Sequence, residues 1–164
     1  GASGVAVLLE LARSLDPNLL RNQVWLAFFD AEDNGDLDGW EWIVGSRYMA
    51  EHLTVTPKAV IIVDMVGDRN QRFPVELHSD LLLTQKIWEL AAGLGYRNIF
   101  VEEPGPRLID DHLPFAQRGI PAVDIVDFDY PHWHTTADTA DKVSAESLQR
   151  VGRVLETFLE QGGP

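Results

Sequence analysis

The sequence predicts an α/β sandwich around a largely parallel sheet. Two observations carry this. Short apolar runs rich in β-branched or aromatic residues alternate along the chain with stretches whose apolar residues recur at helical spacing. Three of the apolar runs also end in polar residues: "VWLAFFD" runs into Ala31-Glu32-Asp33, "AVIIVD" reaches Asp64, and "PAVDIVDF" leads within a few residues to Trp133-His134. In open α/β sheets ligands bind outside the carboxyl ends of parallel strands.

The elements follow in order. Val5, Leu8, Leu9, Ala12 and Leu15 recur at helical spacing, so residues 3–15 are expected as a helix. Residues 23–30 are expected as a strand and 31–43 as an acidic loop. "VGSRYMAEHL" (44–53) is helical, and the β-branched run "KAVIIVDMVG" (58–67) is long enough only for a buried strand. A short strand near "FPVEL" (73–77) precedes an amphipathic helix over 80–94, which Gly95 can stop. "RNIFVEE" is a further strand, "PGPRLIDD" a loop, and "DHLPFAQRG" a short helix ending at Gly119. "PAVDIVDF" (121–128) is a strand, the following loop runs to Val143, and Ser144 caps a final helix to about Gln161. The chain opens "GASGVAVLLELARSL", without Met and already in the first turn of a helix, so a preceding segment is expected to be absent.

Composition narrows the function. With 164 residues the chain is expected to form one domain, and its 45% apolar content supplies a sizeable core. A formal net charge of -13 argues against nucleic acid and anionic membrane as partners. There is no cysteine, hence no disulfide framework and no thiolate metal site, so any metal must be held by His, Asp or Glu.

The polar residues at the strand ends have two readings each. Asp30, Glu32, Asp33, Asp36 and Asp38 lie within nine residues, either as a solvated loop or around a positive object such as a metal ion. Asp64 stands in "IIVDMVG", where a carboxylate costs several kcal/mol (roughly) unless it is paired or binds metal. His134 is either a ligand or a cap or core residue. Asp110-Asp111-His112 can cap the short helix that follows, and Trp133 can fill a core. His132, His52 and His78 read as surface residues. Parallel strands would bring the three ends to one crevice, and carboxylates with an imidazole suit zinc with a position left open.

These motifs resemble the family-28 zinc metallopeptidases, which include zinc aminopeptidases and glutaminyl-peptide cyclotransferases. "GASGVAVLLELAR", "FFDAEDNG", "VDMVGD", "IDDHLPFAQRGIPAV" and "HWHTTADT" follow in the family's order over nearly the whole chain. The Asp-Asp-His-x-Pro-Phe and Trp-His-Thr segments look more like the cyclase branch. The resemblance implies a zinc exopeptidase-like three-layer sandwich with a mostly parallel mixed sheet, its N-terminal strands missing, so that residues 1–164 are a partial catalytic domain truncated at the N-terminus. It implies Glu32 as general acid/base, Asp33 (Glu in many relatives) and His134 as zinc ligands, and Asp64 either as ligand of a second zinc or, with Asp110, as part of a hydrogen-bond network. Trp133, and Trp40 or Trp42, would wall the substrate pocket.

The implied function is a zinc enzyme acting on peptides with a free N-terminus, cyclotransferase-like. A zinc aminopeptidase is the alternative, and a non-catalytic binding domain on the same fold a second one. An extracytoplasmic or secreted setting also follows from the resemblance. The family's bridging Asp and first histidine would lie upstream of Gly1.

Overall fold

The computed structural model describes residues 1–164. Two parallel strands form its centre: β1 (Val60–Asp64) pairs with β4 (Ala122–Val126) in the register Val60↔Ala122 to Asp64↔Val126. A second parallel pair joins β2 (Phe73–Val75) to β3 (Phe100–Pro104), with an irregular register between Phe73 and Val75. The helices are α1 (Ala2–Ser14), α2 (Val44–Glu51), α3 (Leu81–Gly93), the short α4 (Leu113–Ala116) and α5 (Ala145–Glu160). This is the mixed α/β fold with parallel strands that the alternation predicts. None of the helices is long and apolar enough to cross a membrane.

Strand alternation divides the helices into two layers. Side chains one residue apart point to opposite faces. Ile61, Val63, Val123 and Ile125 therefore face one core, with Val7 and Leu11 of α1, Ile87 and Trp88 of α3, and Val151, Val154 and Phe158 of α5. Val60 and Ala122 face a smaller core with Ala50, Phe115 and Ile120. Asp64 and Asp124 have the parity of this second face, so the thin layer carries the polar residues.

Local signals set the helix ends. The Asp80 side chain accepts from Leu83 N–H at 2.8 Å and opens α3, which gives way to Gly95 at φ +91°. Ser144 Oγ accepts from Ser147 N–H and opens α5. Trp88, fully buried, donates its indole N–H to the Val101 carbonyl at 3.1 Å and meets Phe100 edge-on. Gly4 lets α1 approach β1 closely, since a Cβ there would sit 1.9 Å from the Val63 carbonyl oxygen.

One predicted element differs. Residues 23–30 form no regular element, and no backbone hydrogen bond joins 23–29 to another strand. A cavity of about 530 Å³ lies between this segment and the free edge of β1, lined by Val24, Leu26, Phe28, Ile62, Gly4 and Leu8 among others. The apolar pattern suits a strand, but a ladder needs a backbone within reach. Only Phe29 is anchored by an aromatic contact, its ring 6.0 Å from Phe115, while Trp25 and Phe28 are exposed.

Amide hydrogen exchange reads this difference directly. Residues 24–29 are expected to exchange roughly 100-fold or more faster than the fully buried β4. Equal protection of the two segments would mean that 23–30 is laddered after all.

Candidate active site at the carboxyl ends of the strands

The acidic loop is held by the first turn of α2. The amides of Ile43, Val44 and Gly45 donate to the carbonyls of Glu32, Ala31 and Asp30 at 2.9, 3.2 and 3.2 Å. Helix-start amides that lack intrahelical partners are thereby satisfied, and residues 30–32 are pinned. The pinning requires tight backbone. Ala31 and Ile43 have φ of +51° and +55°, and a Cβ at Gly45 would lie 2.6 Å from the Asp30 carbonyl oxygen. Further along the loop the Trp42 ring lies directly over Gly35, where a Cβ would come within 2.0 Å of it.

Left-handed residues recur directly after β1 and in the loop that follows β4. Met65, just after Asp64, has φ +48°, and His134 itself has φ +56°. Such conformations cost roughly 1–3 kcal/mol each for non-glycine residues and persist where the surroundings over-determine them. Here they turn the chain sharply where a side chain must face the crevice.

Asp33 and His134 meet. His134 Nε2 lies 2.9 Å from Asp33 Oδ2, both side chains being largely exposed. Trp133 stacks on the His134 ring with centroids 4.1 Å apart and packs against Phe128 at 4.9 Å. Glu32, Asp64, Asp110 and Asp111 line one end of the cavity described above. Burial, then the charges of Asp110, Asp33, Asp64 and Asp111, push the Glu32 carboxyl up to about 8. Burial and Asp64 raise Asp110 to about 6, and burial raises Asp111 as well. The Gly1 amino group lies 3.1 Å from Asp64 Oδ1.

The residues expected from the sequence thus fall into two groups. Glu32, Asp33, Asp64, Asp110, Trp133 and His134 gather at the strand ends. Trp40 lies on the acidic loop, 53% exposed. Asp110 and Asp111 do not cap α4 with their side chains; the Asp110 carbonyl accepts from Leu113 N–H instead.

Glu76 and Asp124 escaped the sequence reading, and Asp111 and His112 entered it only beside Asp110 as possible caps of the short helix. His112, Glu76 and Asp124 are fully buried, with His112 Nε2 3.0 Å from Glu76 Oε2 and Nδ1 3.6 Å from Asp124 Oδ2. Neither ring nitrogen makes a well-aligned hydrogen bond. His78 is half-buried rather than a surface residue, and its Nδ1 lies 3.0 Å from the Leu108 carbonyl. Ligand atoms of Glu76, His78 and His112 lie within 4.8 Å of one another, a spacing that could hold a metal ion. Asp124 inside "AVDIV" carries the same signal as Asp64 inside "IIVDM" and was findable on that ground.

Residues 1–159 match the sequence model of peptidase family M28. The glutaminyl-peptide cyclotransferase of Bos taurus is 24% identical over 193 residues, covering 94% of this chain and 53% of that protein. Its counterpart from Gloydius blomhoffii is 26% identical, covering 94% and 52%. Among solved structures, Porphyromonas gingivalis glutaminyl cyclase is 34% identical, with a TM-score of 0.85 over 98% of this chain and 62% of that one. A leucine aminopeptidase precursor from Bacteroides thetaiotaomicron VPI-5482 is 32% identical, with a TM-score of 0.87 over 98% and 60%. The chain spans about half the length of the curated relatives it matches.

The crowded carboxylates give the metal-free chain a pH signature. Unfolded carboxylates titrate at about 4, whereas Glu32 and Asp110 titrate at about 8 and about 6 in the fold. Between about pH 4 and 8 the folded chain then binds more protons, and stability falls as pH rises. Glu76 acts in the opposite sense lower down. Burial alone would raise it, but His112, the Leu108 N–H and the Ser79 hydroxyl outweigh that and bring it to about 2. Its contribution is present above its ordinary value of 4.5 and is lost as pH falls through about 2. In a chelator, Tm is expected to be higher at pH 5 than at pH 8, with a smaller difference in Glu32→Gln. A Tm that rises between those values would contradict the assignment.

Proposed function

The chain belongs to peptidase family M28, and from that premise we propose a zinc-dependent enzyme acting at peptide N-termini, glutaminyl-peptide cyclotransferase-like. The observation that carries the proposal is the meeting of Asp33 and His134 at 2.9 Å, next in sequence to the half-buried Glu32. A carboxylate oxygen and an imidazole nitrogen at that spacing fit two ligands of one ion, whose zinc bonds are each about 2 Å. Both side chains are accessible, as a site with an open position needs. Asp33 and His134 would hold the metal, with Asp64 a further ligand if there are two. When bound, zinc supplies Lewis-acid polarisation of the carbonyl under attack.

The chain's own residues account for the proton. In cyclisation the neutral α-amine of an N-terminal glutamine attacks its own side-chain amide carbon. A nitrogen–carbon bond forms, the bond to the amide nitrogen breaks, and one proton passes from the attacking amine to the departing ammonia. Glu32 takes that proton and returns it. Its raised affinity for protons, set by burial and by Asp110, Asp33, Asp64 and Asp111, suits a group that must do both near neutral pH. Asp64, Asp110 and Asp111 also make the crevice attractive to an amino terminus. Trp133, braced by Phe128 and stacked on His134, offers a flat apolar wall for the substrate side chain. An aminopeptidase would use the same groups to activate water, and the likeness to the leucine aminopeptidase precursor keeps that reading in the test.

Glu32→Gln is expected to lower kcat by about 10²–10⁴-fold while zinc content is unchanged, because it removes the base and keeps the shape. Asp33→Ala should lose the zinc as well. Assays of glutaminyl-peptide cyclisation and aminoacyl-amide hydrolysis, run side by side, separate the two chemistries. Near-normal turnover by Glu32→Gln would refute the role given to Glu32.

A further inference from the structure

The loop that presents Asp110 and Asp111 is held against a single buried carboxylate on both of its sides, by a hydrogen bond upstream and by a close imidazole–carboxylate contact downstream. Upstream, the Leu108 N–H donates to Glu76 Oε1 at 3.0 Å. Downstream, the His112 ring brings Nε2 to 3.0 Å from Glu76 Oε2. The Leu108 carbonyl is held in turn by His78 Nδ1 at 3.0 Å. Glu76 is itself immobilised: its Oε2 accepts from His78 N–H at 2.8 Å and from Ser79 Oγ at 3.0 Å. Ser79 Oγ also accepts from Asp124 N–H at 3.0 Å, which ties the assembly to β4. Glu76 and His112 are both completely buried, so neither contact competes with water.

We propose that Glu76 and His112 are positioning residues that staple the 108–112 loop and thereby fix Asp110 and Asp111 against Glu32. The role rests on the reading of Glu32 as the acid/base of an enzyme acting at peptide N-termini. It competes with the use of Glu76, His78 and His112 as a metal site. Two features favour the staple. Both Glu76 oxygens already accept hydrogen bonds from protein groups, and His78 Nδ1 is engaged with the Leu108 carbonyl. The two fastenings also bracket the dipeptide whose carboxylates act on Glu32. The carboxylates of this loop share the site with Asp64 and Glu32, and a fastening on each side opposes their repulsion.

The test separates the arms by the atom each substitution retains. In His112→Gln the side-chain amide nitrogen stands close to the position of ring Nε2, whereas the shorter His112→Asn cannot reach Glu76. Amide exchange at residues 108–112 is expected to quicken about tenfold or more in His112→Asn, to stay within about threefold of wild type in His112→Gln, and to be unchanged at β4 in both. With an N-terminal glutamine peptide, His112→Asn should lower kcat about tenfold at a KM within about twofold, and His112→Gln should recover most of that loss. His78→Ala, at the half-exposed end of the staple, tests the Leu108 fastening without opening the core, and should quicken exchange at 108–110. Equal losses in both His112 variants, extending to β4, would make His112 mere core filling and overturn the proposal. So would unchanged exchange in His112→Asn and His78→Ala. If the Asp33→Ala, His134→Ala double variant still held stoichiometric zinc that Glu76→Gln removed, the cluster would be a metal site instead. If the wild type turned over neither substrate, the functional reading would fail, and the exchange measurements alone would decide the staple.

Discussion

Mutual repulsion among carboxylates is the constraint on which the rest of this structure depends. Glu32, Asp33, Asp64, Asp110 and Asp111 are brought together at one end of the fold, where burial first and then the charges of the other four raise the proton affinity of Glu32. Unrestrained side chains would part. Holding them together requires backbone that cannot relax, and the fold supplies it at each contributing segment. The first turn of α2 grips the carbonyls of residues 30–32, left-handed residues stand at Ala31, Met65 and His134, and buried Glu76 grips the loop beneath Asp110. A cation placed among these groups would relieve the repulsion and stabilise the whole end of the sheet.

The strands explain why the acidic groups share one layer. Alternation gives Asp64 and Asp124 the same face, opposite the large core under α1, α3 and α5. The apolar parity of β1 and β4 thus pays for folding, while the other parity is left free for chemistry. The thin α2/α4 layer contributes few large apolar groups and much of the polar machinery. Packing and function are separated by a single-residue offset.

Much of this was legible in the sequence because it is written in local patterns. Helical spacing in 3–15 and 80–94, the caps at Asp80 and Ser144, and the stop at Gly95 depend on near neighbours and match the structure within a few residues. Asp64 stood out because a carboxylate in a β-branched run needs a reason. What escaped depends on distant partners. Residues 23–30 have a strand's composition, but a ladder depends on what lies alongside, and a cavity lies there. His112 looked like a capping residue beside two aspartates, and only the fold shows Glu76, 36 positions earlier, waiting for its ring. Trp40 and Trp42 were indistinguishable as sequence, yet one stands in solvent and the other roofs Gly35.

The central claim is that one ion belongs between Asp33 and His134. Crystals grown or soaked with zinc and measured on both sides of the zinc absorption edge locate it directly by anomalous difference density. The account predicts a peak within bonding distance of Asp33 Oδ2 and His134 Nε2, about 2 Å from each, with Glu32 facing the ion from its free side. A peak among Glu76, His78 and His112 with none beside His134 would contradict it.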